Sequence, residues 1–315
     1  MITLTPDEVR ARFGPLFAQK FIVMVDEQAG TAEILESCRH RGTIEWDMMN
    51  RRRAGGALSS AEAQGSSMTM KARLGRYEAH FGAAGKEIGG QALEGVEVQG
   101  EEVVTTWAGI AGAGVGVAAC LPQAPGVIRA EYPTEEDLQI GGARVCRVRI
   151  VSPKYEKVTI GIDDTDTKQE GATWVLALKC AEACMIPGVE YLNMRLVQLN
   201  PAVPKKTTNC VGSVLNFAVR SGSVEPLLAF VKEYVESNAV SGDTGIAYYR
   251  GIEIPVSDYS RRIKTDILTR EEVEAEAERL GITFIDSARS KGRIGALGAV
   301  LWGNRGVEAA GLYGE

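Results

Sequence analysis

The chain has 315 residues, 45% hydrophobic and 24% charged, which excludes a disordered or low-complexity protein and leaves room for two domains with full cores. No apolar run approaches the roughly 18 residues of a membrane span, and the opening MITLTPDEVRARF has no apolar signal stretch, so a cytoplasmic protein with no membrane partner is expected. The formal charge of −6 argues against a broad, non-specific grip on nucleic acid, which would normally show as a basic domain.

Thr5-Pro6-Asp7-Glu8 opens the chain with a helix start: Thr5 as cap, Pro6 at the first helical position and Glu8 closing a capping box, for a helix to about Phe13. Phe21 to Val25 alternates as a strand, Asp26 to Gly30 turns, and Thr31 to Leu35 returns, which predicts a β-hairpin. A basic patch follows, with Arg39, His40 and Arg41, then Arg51, Arg52 and Arg53. Ala54 to Ser67 is rich in Gly, Ser and Ala and reads as a mobile loop. The arginines beside it are a solvated face or a phosphate or RNA contact.

A strand is expected from Glu101 to Trp107, followed by AGIAGAGVGVAAC. Its glycines at 109, 112, 114 and 116 match neither GxGxxG before a helix nor a Walker A loop with its Lys, and close backbone packing is the preferred reading. Val145 to Val151 alternates as another strand, and Pro153 and Lys154 mark an expected boundary. Two domains follow from this, 1–153 and 154–315. Six cysteines form no CxxC pair of a structural zinc site and are read as reduced thiols, and the two histidines, His40 and His80, leave little room for His-based chemistry.

Chemistry concentrates in VTIGIDDTDTKQEGATW, residues 158–174. Val158, Ile160 and Ile162 alternate as a buried strand that breaks into Asp163, Asp164, Thr165 and Asp166. Carboxylates at the C-terminal edge of a sheet lie where open α/β sheets bind ligands. Past Gly171, TWVLALKCAEACM has the apolar faces of a helix packed on a sheet. Its first turn offers free backbone N–H groups beside the three aspartates, so together they suit a nucleotide phosphate with Mg2+. Tyr191 to Leu199 is the next strand, ending in Asn200-Pro201, and Lys205, Lys206, Thr207, Thr208 and Asn209 follow with cations and hydroxyls suited to phosphate oxygens.

Val211 to Val219 and Pro226 to Glu236 are expected as helices and Thr244 to Tyr249 as a strand. Thr269 and Glu272 predict a second capping box on an acidic helix ending at Gly281, its glutamates a solvated face. KGRIGALGAVLWGNRG reads as a Gly-punctuated helix with Arg293 at its start, and Gly295, Ala296, Gly298 and Ala299 allow close approach to a partner element or ligand.

GIDDTD, a Gly-led helix, RLVQLNPAVPKKT, GDTGIAYY and RIGALGAV occur in the order found in archaeal tRNA(Ile2) 2-agmatinylcytidine synthetase, and residues ~155–312 resemble its kinase-like and ferredoxin-like domains. The whole chain resembles the methanogenesis marker protein 11 family. The fold expected is α/β (α+β): an N-terminal α+β domain, then a kinase-like α/β unit with a ferredoxin-like subdomain. The resemblance implies that Asp163, Asp164 and Asp166 act at Mg2+ and the triphosphate, that Lys206 and Thr207 match a Lys-Thr pair, and that Arg195 and Asn200 shape the cleft. Gly171-Ala172-Thr173-Trp174 stands where the synthetase has a Gly-led Thr-Thr pair, one Thr of which is phosphorylated, so Thr173 is the remaining hydroxyl. Thr208-Asn209 replaces an Arg-Gly pair. The resemblance stops short of the OB-fold and zinc ribbon that grip tRNA in the synthetase, so tRNA is not expected as a partner.

The main expectation is an enzyme with ATP and Mg2+ as cofactors, transferring phosphoryl or adenylyl to a carbonyl or amide oxygen of an unidentified acceptor. The family resemblance implies a methanogenesis-linked maturation step, with methyl-coenzyme M reductase or its maturation factors as partners. Two alternatives stay open: a non-catalytic ATP-binding assembly factor, and an RNA-modifying enzyme using the Arg39 to Arg53 patch.

Overall fold

The computed structural model describes residues 1–80, 90–204 and 206–315. The chain divides into two compact units, Met1–Tyr155 and Glu156–Glu315, each of mixed α/β class as expected.

The first unit opens with β1 (Ile2–Leu4) and α1 (Pro6–Phe13). The Glu8 N–H donates to Thr5 Oγ1 at 3.3 Å and the Thr5 N–H to Glu8 Oε2 at 2.7 Å, which completes the expected capping box. The predicted hairpin is β2 (Ala18–Asp26) and β3 (Thr31–Cys38), in register from Asp26 opposite Thr31. Next come α2 (Arg41–Ala54), β4 (Leu58–Gln64), β5 (Ser67–Arg73), β6 (Gly75–Arg76), β7 (Gln91–Gln99), β8 (Glu102–Ile110), the short α3 (Ala111–Val115), β9 (Arg129–Tyr132) and β10 (Val145–Asp163).

Two sequence expectations are corrected here. Ala54 to Ser67 is not a loop: it holds β4, an edge strand paired antiparallel to β5. Its mostly small and polar side chains carry little hydrophobic signal, and the ladder orders it together with Ala61, which packs in the core, and Leu58 and Ala63 against it. Arg51 is not part of a surface patch either. It is 1% exposed, paired with Glu36, donates from Nε to Gln91 Oε1 at 2.8 Å, and stacks over Trp107 at 4.6 Å. The glycines after β8 serve packing, since a Cβ on Gly109 would lie 2.9 Å from the Ala113 carbonyl oxygen.

Pro153 and Lys154, the expected boundary, lie inside β10, whose residues 145–153 pair with β8. In the second unit, β10 is followed by α4 (Thr173–Ala183), β11 (Val189–Gln198), β12 (Val211–Val219), α5 (Val224–Asn238), β13 (Gly245–Arg250), α6 (Asp258–Thr265), α7 (Arg270–Leu280), β14 (Thr283–Phe284) and α8 (Gly292–Trp302). The sheet runs β11-β12-β10-β13-β14 with every pair antiparallel. The order β10-α4-β11-β12-α5-β13 along the chain makes it the βαββαβ of a ferredoxin-like fold.

Segment Val211–Val219, expected as a helix, is thus a central strand. Leu215 and Phe217 pack in one core cluster and Val214 in the other, so both faces are apolar and the period-2 signal vanishes. Val158, Ile160 and Ile162 pack with Ala177 and Cys180 of α4 and with Leu227 and Val231 of α5. Against the other face of the sheet lies α8, so close that a Cβ on Gly161 would meet the Ala296 carbonyl oxygen at 2.2 Å. Of the glycines of α8, Gly295 leaves room for the Asp163 side chain and Gly298 for Leu199 and Ile263. No helix among the described residues is long and apolar enough to cross a membrane.

Candidate functional site

Strand β10 stops at Asp163 in the middle of the sheet, and the cleft at that point, about 410 Å³ in volume, is walled by four stretches. They are the Asp163–Asp166 turn with the start of α4, the loop from Leu199 to Val211, the end of α6 with Asp266–Leu268, and the first turn of α8 from Lys291 to Gly295. The local sequence gives a strand ended by polar residues before a helix start, a Pro-containing loop between two strands, the link that follows α6, and the start of α8.

The Asp163 side chain faces α8, where a Cβ on Gly295 would lie 1.5 Å from its Oδ2. Burial, then the charges of Asp164 and Asp166, push its carboxyl well above the usual carboxylate range. Asp164 adopts the left-handed region at φ 53°, an uncommon conformation for a non-glycine residue. Burial first, then Asp243 and Asp166, push it up to about 6 against the pull of Lys291. Cys210, across the same cleft, has φ 55°, so two of the four positive-φ non-glycines among the described residues line this site.

Thr173 begins α4 and is 6% exposed. Its Oγ1 accepts from the Thr165 N–H at 3.2 Å and donates to Asp166 Oδ1 at 3.3 Å, and the Thr165 hydroxyl is 3.1 Å away. The hydroxyl therefore ties the aspartate turn to the helix start. Gly171 makes the connection at φ 92°, with Asp166 Cβ only 3.0 Å from where its own Cβ would be.

In the facing loop Asn200 is buried, donating from Nδ2 to the Asp266 carbonyl at 2.8 Å and accepting from the Ala202 N–H at 2.9 Å. It anchors the loop. Lys206 Nζ donates to the Pro201 carbonyl, which folds the lysine across the loop, and Thr207 and Asn209 also line the cleft. Burial, then the charges of Asp163 and Asp164, push the Cys210 thiol up to about 11.

The structure thus brings together Asp163, Asp164, Asp166, Gly171, Thr173, Asn200, Lys206, Thr207 and Asn209. Arg195 is not among the lining residues: it sits inside β11 opposite Val214, three residues before the strand ends. Lys205 lies outside the described residues. Sequence reasoning missed Lys291, whose Nζ is 3.6 Å from Asp243 Oδ2, and also Asp266 and Trp174 as cleft residues. Lys291 stood at the head of the KGRIGALG segment, and its charge beside a helix start was the available signal.

The three aspartates do not form a preassembled metal cage. Among the described residues no three His, Cys, Asp or Glu side chains converge to hold a metal, because Asp163 faces α8 while Asp166 is held by Thr173. The donor set still suits a hard cation: every donor is a carboxylate or hydroxyl oxygen. Mg2+ is ordinarily held by one or two carboxylates together with phosphate oxygens.

The TiaS TCKD domain family matches residues 159–227, which holds the aspartate turn, α4, β11, the Lys206 loop and β12. A protein of Methanocaldococcus jannaschii named "Uncharacterized protein MJ0921" is 32% identical over 282 residues, covering 89% of this chain and 91% of that protein. The tRNA(Ile2) 2-agmatinylcytidine synthetase TiaS of Cenarchaeum symbiosum is 28% identical over 147 residues, covering 46% of this chain and 33% of its own length. The crystal structure of the TiaS-tRNA(Ile2)-ATP complex is similar over 46% of this chain and 36% of that chain, at 26% identity and a TM-score of 0.41. The chain therefore spans about a third of the synthetases it matches. Those relatives are tRNA-modifying enzymes, which overturns the expectation set against tRNA as a partner.

Proposed function

The chain belongs to the family of Methanocaldococcus jannaschii MJ0921, and from that premise and the chemistry of the cleft we propose that it is an ATP-using enzyme that modifies RNA. The observation that carries this is the meeting, in one cleft, of Asp163, Asp164 and Asp166 with Lys206, Thr207 and the first turn of α4, inside the segment matched to the TiaS TCKD domain. The reaction is transfer of a phosphoryl or adenylyl group from ATP to a base carbonyl oxygen, with ADP or pyrophosphate leaving, after which an incoming nucleophile displaces the phosphate or AMP from the carbon.

Each group has a role that phosphoryl transfer needs, which is positioning and charge neutralisation more than a special nucleophile. One or two of the carboxylates of Asp163, Asp164 and Asp166 would hold Mg2+ together with phosphate oxygens, and the bound cation would supply charge neutralisation there. Lys206 and Lys291 would add cations on opposite walls, and Thr207 a hydroxyl donor. The free N–H groups of the α4 start attract an anion. Thr173, buried and bonded to Asp166 and Thr165, serves as a tie between turn and helix. The resemblance to methanogenesis marker protein 11 adds methyl-coenzyme M reductase and its maturation factors to the acceptors worth screening.

Incubation with labelled ATP, with and without Mg2+ and with tRNA, tests the reading by scoring ADP, AMP and label on the RNA. Wild type should bind ATP only with Mg2+ and release product on adding RNA, and Asp164→Asn should lose most of that turnover. Equal, slow release by wild type and Asp164→Asn while both bind ATP would instead mark a non-catalytic ATP-binding assembly factor.

A further inference from the structure

We propose that Trp174 is the platform on which an unpaired base of the RNA acceptor stacks at the rim of the cleft. This deepens the proposed function and rests on it. Trp174 is the second residue of α4 and lines the cleft, yet it is 48% exposed. Ile267, also a lining residue, is 64% exposed. The other apolar lining side chains include Leu199, Ile263 and Leu268, which are 4%, 3% and 8% exposed. The cleft therefore has a closed apolar floor and an open apolar rim.

A single exposed aromatic on a convex surface needs no explanation. An indole left half open on the wall of a concave site is different, because stacking a ring on it removes apolar area from water without displacing any protein group. Its backbone is fixed, since the preceding Thr173 is bonded to both Thr165 and Asp166. A ring on Trp174 would therefore stand beside the residue that is bonded to Asp166.

The enclosed floor and the open rim suit different rings. At about 410 Å³ the cleft lies toward the small end of ligand sites, which run from roughly 300 to 1,000 Å³, so one nucleotide takes up most of it. The closed floor suits the base of ATP, a small molecule that can be enveloped. The rim suits a base still attached to a polymer, which reaches the site from outside. Unpaired RNA bases are generally recognised by stacking on aromatic side chains, and an enzyme that acts on a base must first take it out of its own stack.

The test uses full-length protein, a single-stranded 12-nucleotide RNA rich in cytidine, and ATP with Mg2+ as separate probes, at one fixed salt concentration. RNA should quench tryptophan emission in wild type, and most of that quench should disappear in Trp174→Leu, with RNA affinity falling roughly tenfold. Trp174→Tyr should restore the affinity, and ATP affinity should change less than twofold in both. Unchanged RNA affinity in Trp174→Leu, or no binding of RNA to wild type, overturns the proposal. A matching loss of ATP affinity in Trp174→Leu also overturns it and assigns the ring to adenine. If wild type binds no ATP while the Trp174-dependent quench persists, the ATP reading fails and the stacking platform stands. Should Trp174→Leu not fold, Trp174→Gln takes its place: a loss of RNA affinity that Trp174→Tyr restores supports the platform, and affinity equal to wild type in Trp174→Gln overturns it.

Discussion

The carboxyl group of Asp163 occupies the space that any side chain at residue 295 would need. A Cβ there would lie 1.5 Å from its Oδ2, a distance no relaxation of the helix alone removes, so in Gly295→Ala the carboxyl must leave its place. Affinity for ATP with Mg2+ should then fall at least tenfold while Trp174 stays accessible to RNA; calorimetric titration with ATP reads this, and an unchanged affinity would exclude Asp163 from the site. The pH behaviour of Asp164 has a worked sign. Its folded pKa of about 6 lies above the ordinary carboxyl value of 3.8, so its favourable contribution is fully present below the lower value and lost as pH rises through the higher one. Above pH 6 the charged form costs the fold on the order of 1–2 kcal/mol once partial exposure is allowed for. Asp164→Asn should therefore unfold at a higher temperature than wild type at pH 7.5, with the gap closing near pH 4. Metal binding runs the opposite way, because it needs the charged carboxylate, so Mg2+-dependent ATP affinity in wild type should drop below pH 6. At this scale the sequence was informative where chemistry and adjacency coincide, as in Asp163 to Asp166 and Lys206-Thr207. It was silent on Asp266 and gave only a charge beside a helix start for Lys291; both reach the cleft through the folding of α6 and α8. It misread Arg51, because a guanidinium buried against Glu36 and Trp107 has the same letters as one in solvent.

Two elements hold the site in place, and both were only half legible. Helix α8 was expected from its composition, and its small residues were read as allowing a close approach. Over much of its length its partner is the sheet: a Cβ on Gly161 would lie 2.2 Å from the Ala296 carbonyl oxygen, and one on Gly245 2.0 Å from the Gly292 carbonyl carbon. Because the obstacle is backbone, Gly161→Ala should cost roughly 3 kcal/mol, the upper part of the usual overpacking range. It should also disturb Asp163, which is two residues further along the same strand. A fall in melting temperature together with weakened ATP binding is the expected result, and a variant as stable as wild type would contradict the packing. Strand β12 was read as a helix because a strand buried on both faces shows no alternation, and β4 was read as a loop because an edge strand of Ser, Ala and Glu has little to bury. In both cases the ladder with a neighbouring strand decides the structure, and that neighbour is invisible to a local window. Capping boxes behaved differently. Thr5-Glu8 and Thr269-Glu272 both form as expected, because every group they need lies within one helical turn.

The two units each carry their own core, one drawing on residues of the first 150 and two on residues past 155, and all the lining of the proposed ATP cleft belongs to Glu156–Glu315. Binding stabilises only what it touches and what must order with it, so ligand protection should be confined to a defined set of segments. Amide hydrogen exchange with saturating ATP and Mg2+ should slow at Asp163–Trp174, Leu199–Val211, Asp243–Gly245 and Ser290–Gly295. Those stretches hold loops and helix starts, whose amides open locally and exchange fastest without ligand, so the protection should be large and easy to measure. The strands of Met1–Tyr155 should exchange at the same rate with and without nucleotide. Protection in that unit by ATP alone would mean a nucleotide site that the cleft does not include. Adding RNA to the ATP-bound protein then separates acceptor contacts from nucleotide contacts: new protection at Trp174 and Ile267, over and above the ATP pattern, is the signature expected of an acceptor held at the rim. New protection along α2 instead would move the RNA contact to the helix bearing Arg52, Arg53 and the exposed Trp46, and the stacking role of Trp174 would then have to be given up.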